Sequence, residues 1–511
     1  MRATRLVPVL ILAGLACGCA VNPVTGERQL ITVSPAQEIA MGEQAYLPTQ
    51  QSQGGVYDVD PALTEYVQSV GARVAAHAEN PLPYEFVILN NSVPNAWALP
   101  GGKMAINRGL LTELDSEAEL AAVLGHEVVH AAARHSAQQM TRGMLSQVLV
   151  VATAVVTADS DYGNLAVGGA ALGSQLITSR YGRAAELESD KYGMRYMSKA
   201  GYDPTGAITL QETFVRLSEG RQSDWLSGLF ASHPPSQARV AANRATAATL
   251  PAGGELGVER YERALAKTRA LKPAYDAYDE GRQALTDGNT ALALEHAERA
   301  LDLFDGEAHF HSLRGDVRLM EKNYAWAETN YTRAIDRRPD FFYYHLQRGQ
   351  ARREQGETDA AVVDLERSVE LMPTAPAYYA LALIAEEQGD VGRAIEYYRP
   401  LVDAGGEVGT AARSRLARLE LPQNPSAYIP FNCVADNQQN LVVQVRNDAP
   451  DAIRNVRVVV TYTGNDGAAR QVANVIRGPV PPGRIASVNT GLGPYTGGSC
   501  PVQVTSAEFA P

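Results

Sequence analysis

Gly125-His126-Glu127-Val128-Val129-His130 is the stretch that decides how the rest of this chain is read. From Ser116 to Gln138 the pattern predicts one helix: Leu120, Val123, Leu124 and Val128 recur at helical spacing, and no proline interrupts them. His126 and His130 are four residues apart, so their imidazoles share one face, a turn apart. Two imidazoles so placed can fill two corners of a tetrahedral zinc site. Glu127 points to the side, where its carboxylate can take a proton from a coordinated water, whose pKa zinc lowers from about 16 towards about 7. This is the pattern H-E-x-x-H, and the chemistry it suggests is peptide-bond hydrolysis. Histidine is scarce, 9 in 511 residues, so chance assembly of the pattern is improbable.

Zinc needs a third protein ligand. Arg183 to Asp190 offers one on a second predicted helix that runs on through Met197. Glu186 and Asp190 share a face, while Glu188 points elsewhere. Glu186 is the predicted third ligand, leaving the fourth position open, as a catalytic site requires. Asp190, one turn on, can accept the free ring N–H of a ligating histidine and so orient the ring.

Together with Asn95-Ala96-Trp97-Ala98-Leu99-Pro100-Gly101-Gly102 and Ser232-His233-Pro234 followed by Arg239, these residues carry a likeness. In order and style the chain resembles the membrane-associated zinc metallopeptidases of the CaaX-prenyl-protease and Oma type, in particular their bacterial periplasmic branch with C-terminal tetratricopeptide repeats. The likeness spans about residues 23 to 400. It implies Glu186 as metal ligand, with Asp190 beside it. His233 is implied near the metal, either stabilising the oxyanion or plugging the open corner, with Arg239 supporting the cluster. Asn95, Ala96, Trp97 and Ala98 resemble the start of the family's edge strand, which pairs with extended substrate. Gly182 and Ser189 stand where the family usually has Ser and Ala; neither is an inferred ligand.

Upstream, Arg2 and Arg5 precede an apolar run from Leu6 to Ala16, too short to span a bilayer comfortably, and this reads as a secretory signal over residues 1–18. Leu15-Ala16-Cys17-Gly18-Cys19-Ala20 resembles a lipobox, with Cys19 preferred over Cys17 as the lipidated residue. Cleavage there leaves Cys433 and Cys500 as a disulfide pair, suited to an oxidising compartment. By likeness to Gram-negative lipoproteins, Ala20 favours the outer membrane. Net charge is −12, which gives no electrostatic reason to expect nucleic acid.

The expected architecture is mainly α and multidomain. Residues 19–33 form a tether, and 34–250 a helical zinc-peptidase domain with one small sheet. Within it, Met144 to Thr157 and Leu165 to Ile177 read as two helices joined by a turn. A linker with a helix follows over 251–273. Residues 274–421 hold about four tetratricopeptide repeats: Gly281, Gly315 and Gly349 fall 34 apart, as do Ala293, Ala327 and Ala361. Phe341 to Tyr344 and Tyr378-Tyr379 are candidates for the concave face of that array, packing between repeats being the plainer reading. Short β-rich runs over 427–511 suit an immunoglobulin-like sandwich.

Two functions are weighed. One is a zinc endopeptidase, one Zn2+ per chain, lipid-anchored in the periplasm, cutting misfolded or stalled envelope and outer-membrane proteins, with repeats that reach clients or assembly machinery. The other is a chaperone-like scaffold lipoprotein with gated or residual proteolysis.

Overall fold

A computed structural model describes residues 19–147, 181–220, 232–463, 469–495 and 502–510. The signal segment, Cys500 and most of the expected helical pair between Met144 and Ile177 lie outside the described residues. The chain divides into two compact units, Met1–Pro373 and Thr374–Pro511.

Among the described residues, the first unit opens with a hairpin where a tether was expected. Strand β1 (Cys19–Val21) pairs antiparallel with β2 (Arg28–Leu30). The segment is held to later helices of the unit by Gln29 Nε2 donating to the Ala133 carbonyl (3.3 Å) and Thr32 N to Thr141 Oγ1 (3.1 Å). Partners more than a hundred residues away leave no local signature, which is why a tether was expected.

At the centre lies the helix Glu117–Ala132, buried along its whole length. Ser116 caps it, its hydroxyl accepting the Glu119 N–H. The helix expected from Ser116 to Gln138 is in fact two. Arg134 adopts a left-handed backbone (φ 63°), and a new helix, His135–Gln147, follows. No Gly, Asn or Pro marks that break. The guanidinium compensates it, donating from Nε to Glu38 Oε1 and from Nη2 to the Val33 carbonyl, each at 2.8 Å.

Against the central helix packs Arg183–Lys199. Their closest approach is glycine on glycine: a Cβ added to Gly193 would lie 2.9 Å from both the Gly125 carbonyl carbon and the His126 nitrogen. Only hydrogen side chains permit that crossing, and it brings Glu186 and Asp190 up to the histidines. A small sheet flanks the pair in the order β3 (Glu85–Leu89), β5 (Lys103–Asn107), β4 (Ala96–Leu99), with β4 at an edge. The expected linker over 251–273 contributes to the core instead. Its helix Val258–Ala270 buries Tyr261 and Leu265, and the Tyr261 hydroxyl donates to the Leu111 carbonyl at 2.6 Å.

Three helix pairs follow: Lys272–Thr286 with Thr290–Leu303, Ala308–Met320 with Tyr324–Arg337, and Phe342–Glu354 with Thr358–Leu371. Gly315 and Gly349 sit where the paired helix presents Tyr331 and Leu365. Phe341, Phe342 and Tyr344 are fully buried, so this run is packing and not a docking face. The array is stitched to the earlier helices of the unit. Gln51, at the end of the helix Pro35–Ser52, donates to the Asp340 carbonyl (2.7 Å) and accepts from Phe342 N (2.8 Å).

The second unit begins with the helix pair Ala375–Glu387 and Val391–Tyr398. Its sandwich has two three-stranded sheets among the described residues. One is β10 (Ile485–Asn489), β7 (Leu441–Arg446), β6 (Phe431–Ala435); the other is β11 (Val502–Phe509), β8 (Ile453–Thr463), β9 (Ala469–Ile476). Val443, Val445, Val456, Val458 and Val460 fill the space between them at the period-two spacing a half-buried strand requires. Cys433 is disulfide-bonded. No described helix is long and apolar enough to cross a membrane.

Candidate metal centre

His126, His130, Glu186 and His233 offer one ligand atom each, all within 4.8 Å of one another, and all four side chains are buried. His126 Nε2 lies 3.0 Å from His130 Nε2, 3.3 Å from His233 Nδ1 and 3.6 Å from Glu186 Oε2. Glu186 Oε1 lies 3.4 Å from His130 Nε2 and 3.0 Å from His233 Nδ1. Ligands about 2.0–2.1 Å from a tetrahedral zinc sit about 3.3 Å from each other, so these separations fit one ion.

Tautomers strengthen that fit. His126 faces Asp190 Oδ1 through Nδ1 at 3.0 Å, and a carboxylate only accepts, so a neutral His126 carries its proton on Nδ1 and leaves Nε2 as a lone pair. That lone pair is aimed at two further imidazole nitrogens and a carboxylate. A cation is the natural centre of such a set.

Around it the supports are ionic. Arg239 grips Asp190 with two bonds of 2.7 Å, Nε to Oδ2 and Nη2 to Oδ1, and its Nη1 lies 3.0 Å from Glu186 Oε2. Burial would raise the carboxyl pKa of Glu186, but the charge of His233 and hydrogen bonds from His130 and His233 reverse this and hold it well below the usual range. Burial likewise works against Asp190, and Arg239 more than offsets it. His130 is lowered chiefly by burial. The Tyr181 ring stacks on His130 with centroids 4.0 Å apart, and its hydroxyl shares a 2.9 Å bond with Ser136.

Glu127 is buried beside the cluster, with Oε1 3.7 Å from His233 Nε2. Its Oε2 has no hydrogen-bond partner among the described residues. A buried carboxylate oxygen left unpaired is costly and marks a group waiting for something to bind. Ala96, on the edge strand, lines the same cavity as His126, Glu127 and His233. Trp97 turns the other way, edge-on to Tyr46 with ring centroids 6.3 Å apart. Asn95 stays at the strand's entry, its Oδ1 accepting from Ala96 N and its carbonyl from Asn107 N.

The chain thus brings together every expected ligand and support, His126, His130, Glu186, Asp190, His233 and Arg239, from segments far apart in sequence. Sequence reasoning missed His135, Glu188 and Asn22. Glu188 does not point idly away: its Oε1 lies 3.4 Å from His135 Nε2 and accepts from Asn22 Nδ2 at 2.7 Å. His135, five residues after His130, would face elsewhere on a continuous helix, and only the turn at Arg134 swings it back.

A buried three-histidine, one-carboxylate cluster on crossing helices, with a free carboxylate beside it, defines a metallopeptidase domain. Residues 61–247 match the profile described as Peptidase family M48. The beta-barrel assembly-enhancing protease of Escherichia coli K12 is 30% identical over 262 residues, 50% of this chain and 52% of that protein. The mitochondrial metalloendopeptidase OMA1 of Schizosaccharomyces pombe is 32% identical over 224 residues, 43% of this chain and 63% of that one. Metalloprotease LoiP of Escherichia coli K12 is 28% identical over 220 residues, 42% and 81%. The chain spans about half the length of the first of these relatives. Residues 271–421 match a profile described as bacterial transcriptional activator domain. Among solved structures, the Arabidopsis OM64 TPR domain aligns over 23% of this chain and 98% of its own, at 19% identity and TM-score 0.23.

Proposed function

We propose that this chain is a zinc-dependent endopeptidase of the bacterial cell envelope that degrades misfolded or stalled envelope and outer-membrane proteins. The convergence of His126, His130 and Glu186 beside the unpaired oxygen of Glu127 supports this most directly. Zinc, one ion per chain on those three residues, would supply Lewis acidity to a water and to the scissile carbonyl. Glu127 takes a proton from the attacking water as the new C–O bond forms, then gives it to the amine as the C–N bond breaks. Asp190, locked by Arg239, keeps His126 in the tautomer that offers Nε2 to the ion. The strand Ala96–Leu99, entered through Asn95 and carrying Trp97 and Ala98, receives extended substrate backbone at the sheet edge.

His233 belongs to the resting cluster. Its Nδ1, 3.0–3.3 Å from two ligand atoms, takes the corner that substrate needs and must swing out before cleavage. That contact also favours the second reading, a scaffold whose proteolysis is gated. Lipidation at Cys19, a periplasmic site facing the outer membrane, a Cys433–Cys500 bridge, and recruitment of assembly machinery by the repeats complete the proposal. The names of the bacterial relatives support the envelope setting.

The test is casein cleavage by the purified full chain, with and without a chelator. Chelation and Glu127→Gln should each abolish cleavage, the substitution by about 10²–10⁴-fold with zinc retained. His233→Ala should raise cleavage if the ring is a plug, and a large loss would assign it to the oxyanion instead. Undiminished cleavage by Glu127→Gln would leave only the scaffold.

A further inference from the structure

We infer that His135 positions the second ligating imidazole, and that the amino-terminal arm in turn holds His135. His130, His135, Glu188 and Asn22 then act as one chain of polar contacts running from the metal cluster to the hairpin Cys19–Leu30. The inference rests on the zinc reading above.

His130 is wholly buried and commits Nε2 to the cluster, 3.0 Å from His126 Nε2. Its other nitrogen, Nδ1, stands 3.0 Å from His135 Nδ1. Two ring nitrogens at that distance share one proton. A His130 that offers a bare Nε2 to a cation keeps its proton on Nδ1 and therefore donates, and His135 Nδ1 accepts. His135 then carries its own proton on Nε2, facing Glu188 Oε1 at 3.4 Å. Glu188 Oε1 also accepts from Asn22 Nδ2 at 2.7 Å. The Asn22 amide cannot flip without loss, because its Oδ1 accepts from Val24 N at 2.9 Å and its backbone N–H is tied to the Glu27 carbonyl at 2.8 Å. Each group thus sets the proton position of the next.

The two imidazoles of the H-E-x-x-H pair are backed differently. His126 leans directly on a carboxylate, Asp190, whereas His130 reaches one only through a second imidazole. Partners of this kind fix ring orientation and strengthen metal binding. The arm that carries Asn22 includes Cys19, so the chain of contacts ends three residues from the site of the proposed lipid.

The test compares full-length variants by zinc affinity in competition with a chromophoric chelator, by visible spectra of the cobalt-loaded protein, and by thermal unfolding of the zinc-free protein. His135→Ala should lower zinc affinity about 10–100-fold and shift the cobalt bands, with zinc-free unfolding unchanged. His135→Asn, whose amide oxygen can stand where Nδ1 stood, should recover most of the loss. Glu188→Gln and Asn22→Ala should move affinity the same way by smaller steps, the second by about 3-fold. The inference is overturned if His135→Ala keeps wild-type zinc affinity and cobalt bands. It also fails if zinc is lost only along with zinc-free stability that His135→Asn does not restore. A wild-type chain that binds no zinc would overturn this and the zinc reading together, whereas a neutral His135→Ala in a zinc-binding chain removes this inference alone.

Discussion

Two buried clusters in the first unit are built from the same residue types and finish differently. Around Glu307, where the repeats meet the peptidase helices, both carboxylate oxygens are bonded. Oε1 accepts from His309 N, and Oε2 from Asn90 Nδ2 and the Tyr275 hydroxyl. His309 is likewise complete, its Nε2 donating to the Gly54 carbonyl and its Nδ1 accepting from the Tyr344 hydroxyl. Around His126, by contrast, three imidazole nitrogens converge, His126 Nε2 lying 3.0 Å from His130 Nε2 and 3.3 Å from His233 Nδ1, and Glu127 Oε2 has no hydrogen bond among the described residues. Burial is equal in the two places; satisfaction is not. A polar group closed on itself holds the fold, and one left open is prepared for a ligand.

That contrast breaks most decisively on metal removal. An ion present at about 1,000 times its Kd contributes about 4 kcal/mol to the folded state, so chelation should lower the unfolding temperature of the first unit by several degrees. Identical melting curves with and without chelator would put the His126 cluster in the same category as the junction. The converse perturbation is Glu307→Ala, which strands the Tyr275 hydroxyl and the Asn90 amide. It should cost about 3 kcal/mol in urea unfolding and leave zinc content unchanged.

A smaller effect sharpens the comparison. Burial pushes the His309 imidazole from its ordinary 6.5 down to about 4. Its folded-state pKa lies below the unfolded value, so protonation favours the unfolded chain. The stability it protects is complete above about pH 6.5 and is lost as pH falls towards 4. Between pH 7 and pH 5 the wild type should therefore lose about 2 kcal/mol more than His309→Gln, read from urea midpoints at each pH. Equal losses would mean the ring is not sealed as described.

The parts of this fold that sequence reading reaches are those written in local spacing. His126 and His130 declare themselves by a four-residue step, Glu186 and Asp190 by another, and the repeats by their 34-residue period. What escapes it depends on contacts between distant segments. Gly193 looks like an ordinary helical glycine until Gly125 is seen against it. His135 falls off the face of the predicted helix, and only Glu38, ninety-six residues earlier, makes the turn at Arg134 affordable. The hairpin at Cys19–Leu30 and the helix Val258–Ala270 are short and polar enough to read as connectors, yet each is fastened to a neighbour that no local pattern announces.

One rod joins two tasks. The helix Pro35–Ser52 presses Tyr46 on the edge strand through Trp97 and, a turn further on, clasps the repeat backbone with Gln51. Were the array to hold a polypeptide as proposed, this common mount would act as a yardstick. Bonds would reach Glu127 at a span measured by folded geometry, so fragments should share a length more than they share a motif at the cut.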